Sequence, residues 1–120
     1  MRWTSRSKAA VLALVGALGL VGALALMPAG ASGGARPAST HTVILKQIRF
    51  RPATLSIRRG DSVRWIWRDG AIEHNVAFRG FRSRTQRSGT YTVRFTRSGT
   101  FAYVCTLHVA EGMKGKIVVQ

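Results

Sequence analysis

Residues 101–119 read FAYVCTLHVAEGMKGKIVV, and this stretch decides how the rest of the chain is interpreted. Larger apolar and aromatic residues occupy every second position up to Cys105, which is the period of a strand with one buried face. His108 and Met113 follow in the spacing C-x2-H-x4-M, and residues 116–119 form a second apolar run. The stretch therefore predicts a strand, a tight loop and a last strand, with a thiol, an imidazole and a thioether on the one loop.

These three side chains are donor types found at copper sites. Thiolate and thioether sulfur favour copper(I), and imidazole binds both oxidation states of copper. A trigonal plane of two imidazoles and one thiolate needs a second histidine, for which His74 is the candidate. Each residue alone is better explained as core or surface, since a single buried cysteine is usually an inert thiol. Together they predict one copper ion held by His74, Cys105 and His108, with Met113 as a weak fourth ligand. His41 lies outside this pattern and is given no role.

The sequence outside this stretch predicts strands as well. Val63, Trp65 and Trp67 alternate with Arg64, Ile66 and Arg68, and residues 91–95 repeat the same period of two. Glycine-bearing turns separate such segments, and no stretch after residue 40 has helical periodicity over ten residues. Six or seven short strands joined by turns indicate an all-β sandwich.

The N-terminal part of the chain has the composition of an export segment. Basic residues precede an unbroken apolar run over residues 9–27, and a proline and an A-x-A site follow that run. The run is also close to the length that spans a bilayer, so a cleaved signal and a retained anchor both remain open. The predicted organisation is a signal peptide or membrane anchor over 1–31, a flexible linker over 32–41 and one domain over 42–120.

The charge balance of the chain is strongly basic. The 19 Lys and Arg outnumber four Asp and Glu, which gives a net charge of +15. Removing Arg2, Arg6 and Lys8 with the export segment leaves residues 32–120 with a net charge of +12. Such a surface favours polyanionic partners, and export argues against nucleic acid. The single cysteine also excludes an intrachain disulfide.

The chain resembles the plastocyanin/pseudoazurin/amicyanin group of cupredoxins, the type 1 blue-copper proteins. Residues 50–65 match as F-x-P-x2-L-x-I-x2-G-D-x-V-x-W, residues 74–76 as HNV, and residues 99–115 as G-T-F-x-Y-x-C-x2-H-x4-M-x-G. The resemblance covers about residues 42–120. It implies a Greek-key β-sandwich with His74, Cys105 and His108 as equatorial copper ligands and Met113 as the axial one.

The resemblance also implies roles for neighbouring residues. Asn75 is expected to hydrogen-bond to Thr106 and hold the two ligand segments together. His108 is expected to reach the surface, where electrons enter and leave through an apolar patch that Leu107, Val109 and Ala110 supply. Three positions depart from the family pattern: Val104, Leu107 and Glu111.

A site with four protein ligands has no open position for a substrate, so we expect an electron carrier and not an enzyme. The expected partners are exported or membrane redox proteins, with an exported copper carrier or scavenger as the alternative function. We expect a monomer in the periplasm or on the outer face of the cytoplasmic membrane. An arginine-rich loop is expected to dock on acidic redox partners, or on an anionic membrane or cell wall. Its basic residues are Arg79, Arg82, Arg84 and Arg87.

Overall fold

The computed structural model describes residues 36–120. The regular secondary structure within these residues consists of β-strands alone. The strands are β1 (Thr40–Leu45), β2 (Phe50–Arg51), β3 (Thr54–Ile57), β4 (Ser62–Trp67), β5 (Ala77–Phe78), β6 (Phe81–Arg82), β7 (Gly89–Arg94), β8 (Gly99–Val104) and β9 (Lys114–Val119). These nine exceed the six or seven predicted, because β2, β5 and β6 have two residues each and show no periodicity.

The predicted export segment, residues 1–31, lies outside the described residues, as do the first four residues of the predicted linker, 32–35. Among residues 36–120 there is no helix that is long and apolar enough to cross a membrane.

The strands form two sheets, which confirms the predicted all-β two-sheet architecture. One sheet has the order β2-β1-β4-β7 and the other has the order β3-β9-β8-β5-β6. The pairs β1–β4 and β3–β9 are parallel, while the other neighbours are antiparallel. Strand β8 therefore lies inside the second sheet, where β9 and β5 fix its position on both sides.

The core lies between the two sheets and is rich in aromatic side chains. Trp65 on β4 is fully buried, as its alternating pattern predicts. Its ring meets Tyr103 of β8 edge-on, with centroids 5.4 Å apart, and Phe78 of β5 at 5.6 Å. Such edge-to-face pairs add to the free energy gained from burial alone. They connect the first sheet to the two strands of the second sheet that lead to the metal-binding segments.

One glycine allows strand β9 to approach the core closely. A Cβ atom added at Gly115 would lie 2.6 Å from the Tyr103 hydroxyl and 2.9 Å from the carbonyl oxygen of Ala53. That carbonyl accepts a hydrogen bond from the amide of Lys116 at 2.8 Å. Any other residue at position 115 would push β9 away from β8 and distort the loop between them.

Candidate metal centre

The loop between β8 and β9 is closed by its own backbone hydrogen bonds. The amide of Cys105 donates to the carbonyl of Met113 at 3.0 Å, and the amide of Met113 donates to the carbonyl of His108 at 3.1 Å. A further bond of 3.2 Å joins the amide of His108 to the carbonyl of Cys105. Gly112 takes a left-handed conformation with φ 80° and so allows the chain to turn back. Three predicted ligand residues are thus fixed relative to one another.

His74 reaches the same place from another part of the chain. Its amide and carbonyl both pair with Gln86 at 3.0 Å, which forms an isolated antiparallel bridge. The indole Nε1 of Trp67 also donates to the carbonyl of His74 at 2.9 Å. The backbone of His74 is therefore held at two atoms before any metal binds, and its side chain is fully buried.

The donor atoms of three predicted ligands converge. One nitrogen from each of His74 and His108 and the sulfur of Cys105 all lie within 4.8 Å of one another. His74 Nδ1 is 3.8 Å from the Cys105 sulfur, and the two imidazole rings are 4.9 Å apart. Met113 is buried, and its backbone bonds place it at the end of the same loop. The ligand role of the Met113 thioether stays a prediction.

Asn75 connects the two ligand segments, as expected. Its side-chain amide donates to the Thr106 hydroxyl at 2.8 Å, and its side-chain oxygen accepts the Thr106 amide at 2.9 Å. The same amide also donates to the Thr85 hydroxyl at 3.0 Å, a partner that the sequence did not indicate. The backbone amide of Asn75 points at the Cys105 sulfur from 3.5 Å. An N–H donor at that distance stabilises a thiolate, which is the form of cysteine that binds metal.

The residues present fit a copper ion. His108 Nδ1 is buried and has no hydrogen-bond partner, since the nearest carboxylate oxygen, on Glu111, is 3.7 Å away. A buried nitrogen without a hydrogen-bond partner costs free energy unless a metal ion binds it. Two imidazoles and one thiolate in this arrangement are the donor set of a blue-copper site.

Asp69 contacts a predicted ligand, and the sequence analysis did not single it out. Its Oδ2 lies 2.8 Å from Nε2 of His74, and its two oxygens accept the amides of Gln47 and Ile48 at 2.8 and 2.9 Å. Burial by itself raises the pKa of Asp69, but the hydrogen bonds from Ile48, His74 and Gln47 outweigh burial and lower that pKa below its ordinary value. In the sequence, Asp69 and the glycine after it resemble an ordinary turn.

The surface around the cluster is apolar, with charges at its border. His108 keeps 16% of its side chain exposed, and it is flanked by Leu107 at 43% and Val109 at 59%. His108 Nε2 lies 3.3 Å from the carbonyl of Glu73. The carboxylate of Glu73 pairs loosely with Arg87 at 3.6 Å, and both side chains are largely exposed.

Comparison with known proteins agrees with this geometry. Residues 38–120 match the model of copper binding proteins of the plastocyanin/azurin family. Amicyanin-alpha of Methylorubrum extorquens is 34% identical over 91% of this chain and 98% of its own length. The copper-resistant cuproprotein CopI of Rubrivivax gelatinosus is 29% identical over 78% of this chain and 74% of its own length.

Solved structures give the same result. A copper(I) form of an amicyanin variant superposes with a TM-score of 0.61 and 30% identity, covering 68% of this chain and 82% of the other. The predicted resemblance to cupredoxins is therefore confirmed, and copper is the metal that the cluster of His74, Cys105 and His108 fits. The chain belongs to the plastocyanin/azurin family of copper-binding proteins.

Proposed function

We propose that this protein carries single electrons between redox partners on a copper ion held by His74, Cys105, His108 and Met113. The observation that carries the proposal is the rigidity of the four positions. Backbone hydrogen bonds fix each of them, and the side chains of three are buried. Copper, when bound, supplies the one-electron chemistry. Ligands that stay nearly still between the two oxidation states favour fast electron transfer, and four protein ligands leave no position for a substrate.

In this function some residues hold the metal ligands in place, and one ligand provides the route by which electrons enter and leave. The Asn75 amide lies against the Cys105 sulfur, and its side chain keeps the segment after Cys105 beside His74. His108 is the one ligand of the four with an intermediate exposure, while the others are buried. Its ring edge is therefore the proposed site of electron passage, and exposed Leu107 and Val109 are the proposed contact for a partner.

Location and partners form part of the same proposal. The composition of residues 1–31 supports export, with the protein released or anchored at the outer face of the cytoplasmic membrane. We propose that it acts there as a monomer. The family membership and the amicyanin relative support redox proteins as partners.

A carrier or scavenger of copper is the second candidate, because one relative is named a copper-resistant cuproprotein. Repeated oxidation and reduction separates the two functions. We expect the copper-loaded protein to pass through many cycles, in the presence of a copper(I) chelator, with its visible band restored each time. The reason is that buried ligands on a closed loop release metal slowly. Loss of copper to the chelator within the first cycles would instead support the carrier function.

The basic loop gives a second prediction, on partner docking. Residues 84–87 run beside the copper cluster, because Gln86 pairs with His74 and Thr85 bonds to Asn75. Arg84 and Arg87 are exposed there, so we propose that they steer acidic partners towards His108. Electron exchange with an acidic redox protein is therefore expected to slow at least about tenfold from low to high salt, as opposite charges become screened.

Reversing the charge of single arginines shows which of them speed electron exchange with the acidic partner. Arg84→Glu and Arg87→Glu are expected to slow the exchange at low salt. Arg59→Glu is the matched control, since Arg59 is also exposed but lies in the turn before β4, where its amide bonds to Gln120. A rate that is flat or rising with salt, or an equal effect of all three variants, would reduce the arginines to a general solubility feature.

A further inference from the structure

We propose that Asp69 is a positioning residue that fixes the tautomer and orientation of His74 and thereby tunes the copper site. Asp69 lies just after β4, and its carboxylate has three hydrogen-bond partners. Oδ1 accepts the amide of Gln47, while Oδ2 accepts the amide of Ile48 and contacts Nε2 of His74. One carboxylate thus connects the turn between β1 and β2 to a predicted copper ligand. The inference rests on the proposed function, because it takes His74 as a ligand.

The turn that holds Asp69 has an unusual backbone. Lys46 and Arg49 bond to each other through both amides, at 3.1 and 3.2 Å, so Gln47 and Ile48 are the two central residues of a tight turn. Both are left-handed, with φ of 55° and 54°. Such a turn favours asparagine and glycine, and a β-branched residue at positive φ is strained. Strain of this kind persists where other contacts over-determine it, and here both central amides point at the carboxylate of Asp69.

The contact with His74 sets which ring nitrogen carries the proton. An ionised carboxylate only accepts hydrogen bonds, so Nε2 of His74 must be the donor to Asp69. In the neutral imidazole, Nδ1 then keeps its lone pair, and this atom is the one that faces the Cys105 sulfur at 3.8 Å. The ring is therefore ready to bind a metal ion through Nδ1 before the ion arrives.

The two histidines of the cluster differ in this respect. Nε2 of His74 faces a carboxylate at 2.8 Å, whereas Nε2 of His108 faces the neutral carbonyl of Glu73 at 3.3 Å. A carboxylate partner makes a bound imidazole a stronger donor, and its negative charge favours the more highly charged metal ion. Asp69 is thus expected to stabilise copper(II) more than copper(I) and to lower the reduction potential.

A matched pair of variants tests the proposal. We expect Asp69→Asn to lower the affinity for copper(II) relative to copper(I) about tenfold or more, and each tenfold raises the reduction potential by about 59 mV. Asp61→Asn is the control. Asp61 is buried and, like Asp69, bonds to a histidine and to two backbone amides, yet it precedes β4 and lies about 20 Å away at the other end of that strand. We expect it to lower stability and to leave the potential unchanged.

A second measurement needs no variant and no copper. In the metal-free protein, nitrogen-15 NMR is expected to show His74 with its proton on Nε2, in slow exchange with water, and with Nδ1 unprotonated. A proton on Nδ1, or a potential that shifts no more in Asp69→Asn than in Asp61→Asn, would overturn the proposal. If the wild-type protein forms no blue copper site at all, the proposed function fails. If it forms one and the Asp69 results are negative, only this inference fails.

Discussion

Cys105→Ser is expected to remove the intense blue colour of the copper-loaded protein completely. The wild-type protein should absorb strongly near roughly 600 nm, because a thiolate transfers charge to copper(II) in the trigonal plane of a blue-copper site. Cys105 is the chain's one cysteine, and its sulfur lies within 4.8 Å of the donor nitrogens of both histidines. Visible spectra at equal copper content measure the change.

The serine variant must be shown to fold. Serine is close to cysteine in size, and position 105 is fully buried, so the circular dichroism of the two metal-free proteins should agree. Thr106→Ser serves as a matched control on the next residue, because it keeps the hydroxyl that Asn75 contacts and should keep the blue band. A wild-type protein that binds copper(II) without the band contradicts the assignment of a blue-copper site.

Substitution of Met113 is expected to shift the reduction potential in opposite directions. Met113→Leu removes a weak donor to copper(II) and should raise the potential, while Met113→Gln supplies an oxygen donor and should lower it. A tenfold change in the ratio of the two copper affinities corresponds to about 59 mV, and we expect shifts of at least this size. Electrochemistry of the copper-loaded variants measures them, and the blue colour should persist in Met113→Leu.

Ile117→Val is the control for packing. Ile117 is fully buried on β9, close in sequence to Met113. Shortening its side chain should cost about 0.5–1.5 kcal/mol of stability without moving the potential. If the Met113 variants behave like this control, Met113 is a core residue and not a ligand.

The long, alternating strands were predictable because burial on one face leaves a period of two in the sequence. Val63, Trp65 and Trp67 are all buried on β4, as their spacing predicts. The arginine-rich segment from Arg79 to Arg87 is predicted as a loop, yet it contains β6 and a buried Ser83 whose hydroxyl accepts the amide of Val76. A two-residue strand has no period to detect, and its position depends on partners far away in the chain.

At the metal site, too, some features were predictable from the sequence and others were not. The convergence of His74, Cys105 and His108 was predictable, since few arrangements explain these side chains in one small β-domain with one cysteine. The role of Asp69 was not, because it depends on a turn 21 and 22 residues earlier in the chain that brings two amides to the carboxylate. The pairing of His41 with Asp61 escaped detection for the same reason. Sequence spacing indicates which residues share one face of a strand, whereas these contacts join residues about 20 positions apart in the chain.

The unequal exposure of the four predicted ligands has a consequence for how the folded chain would be loaded with metal. His74 and Cys105 are fully buried and Met113 is 1% exposed, so His108 is the most exposed of the four residues and the one that an incoming ion is expected to meet first. Exposed Leu107 and Val109 flank its ring. Because Leu107 and Val109 are also the proposed contact for a partner, copper delivery and partner docking would use the same face, and a bound partner would slow both gain and loss of the ion.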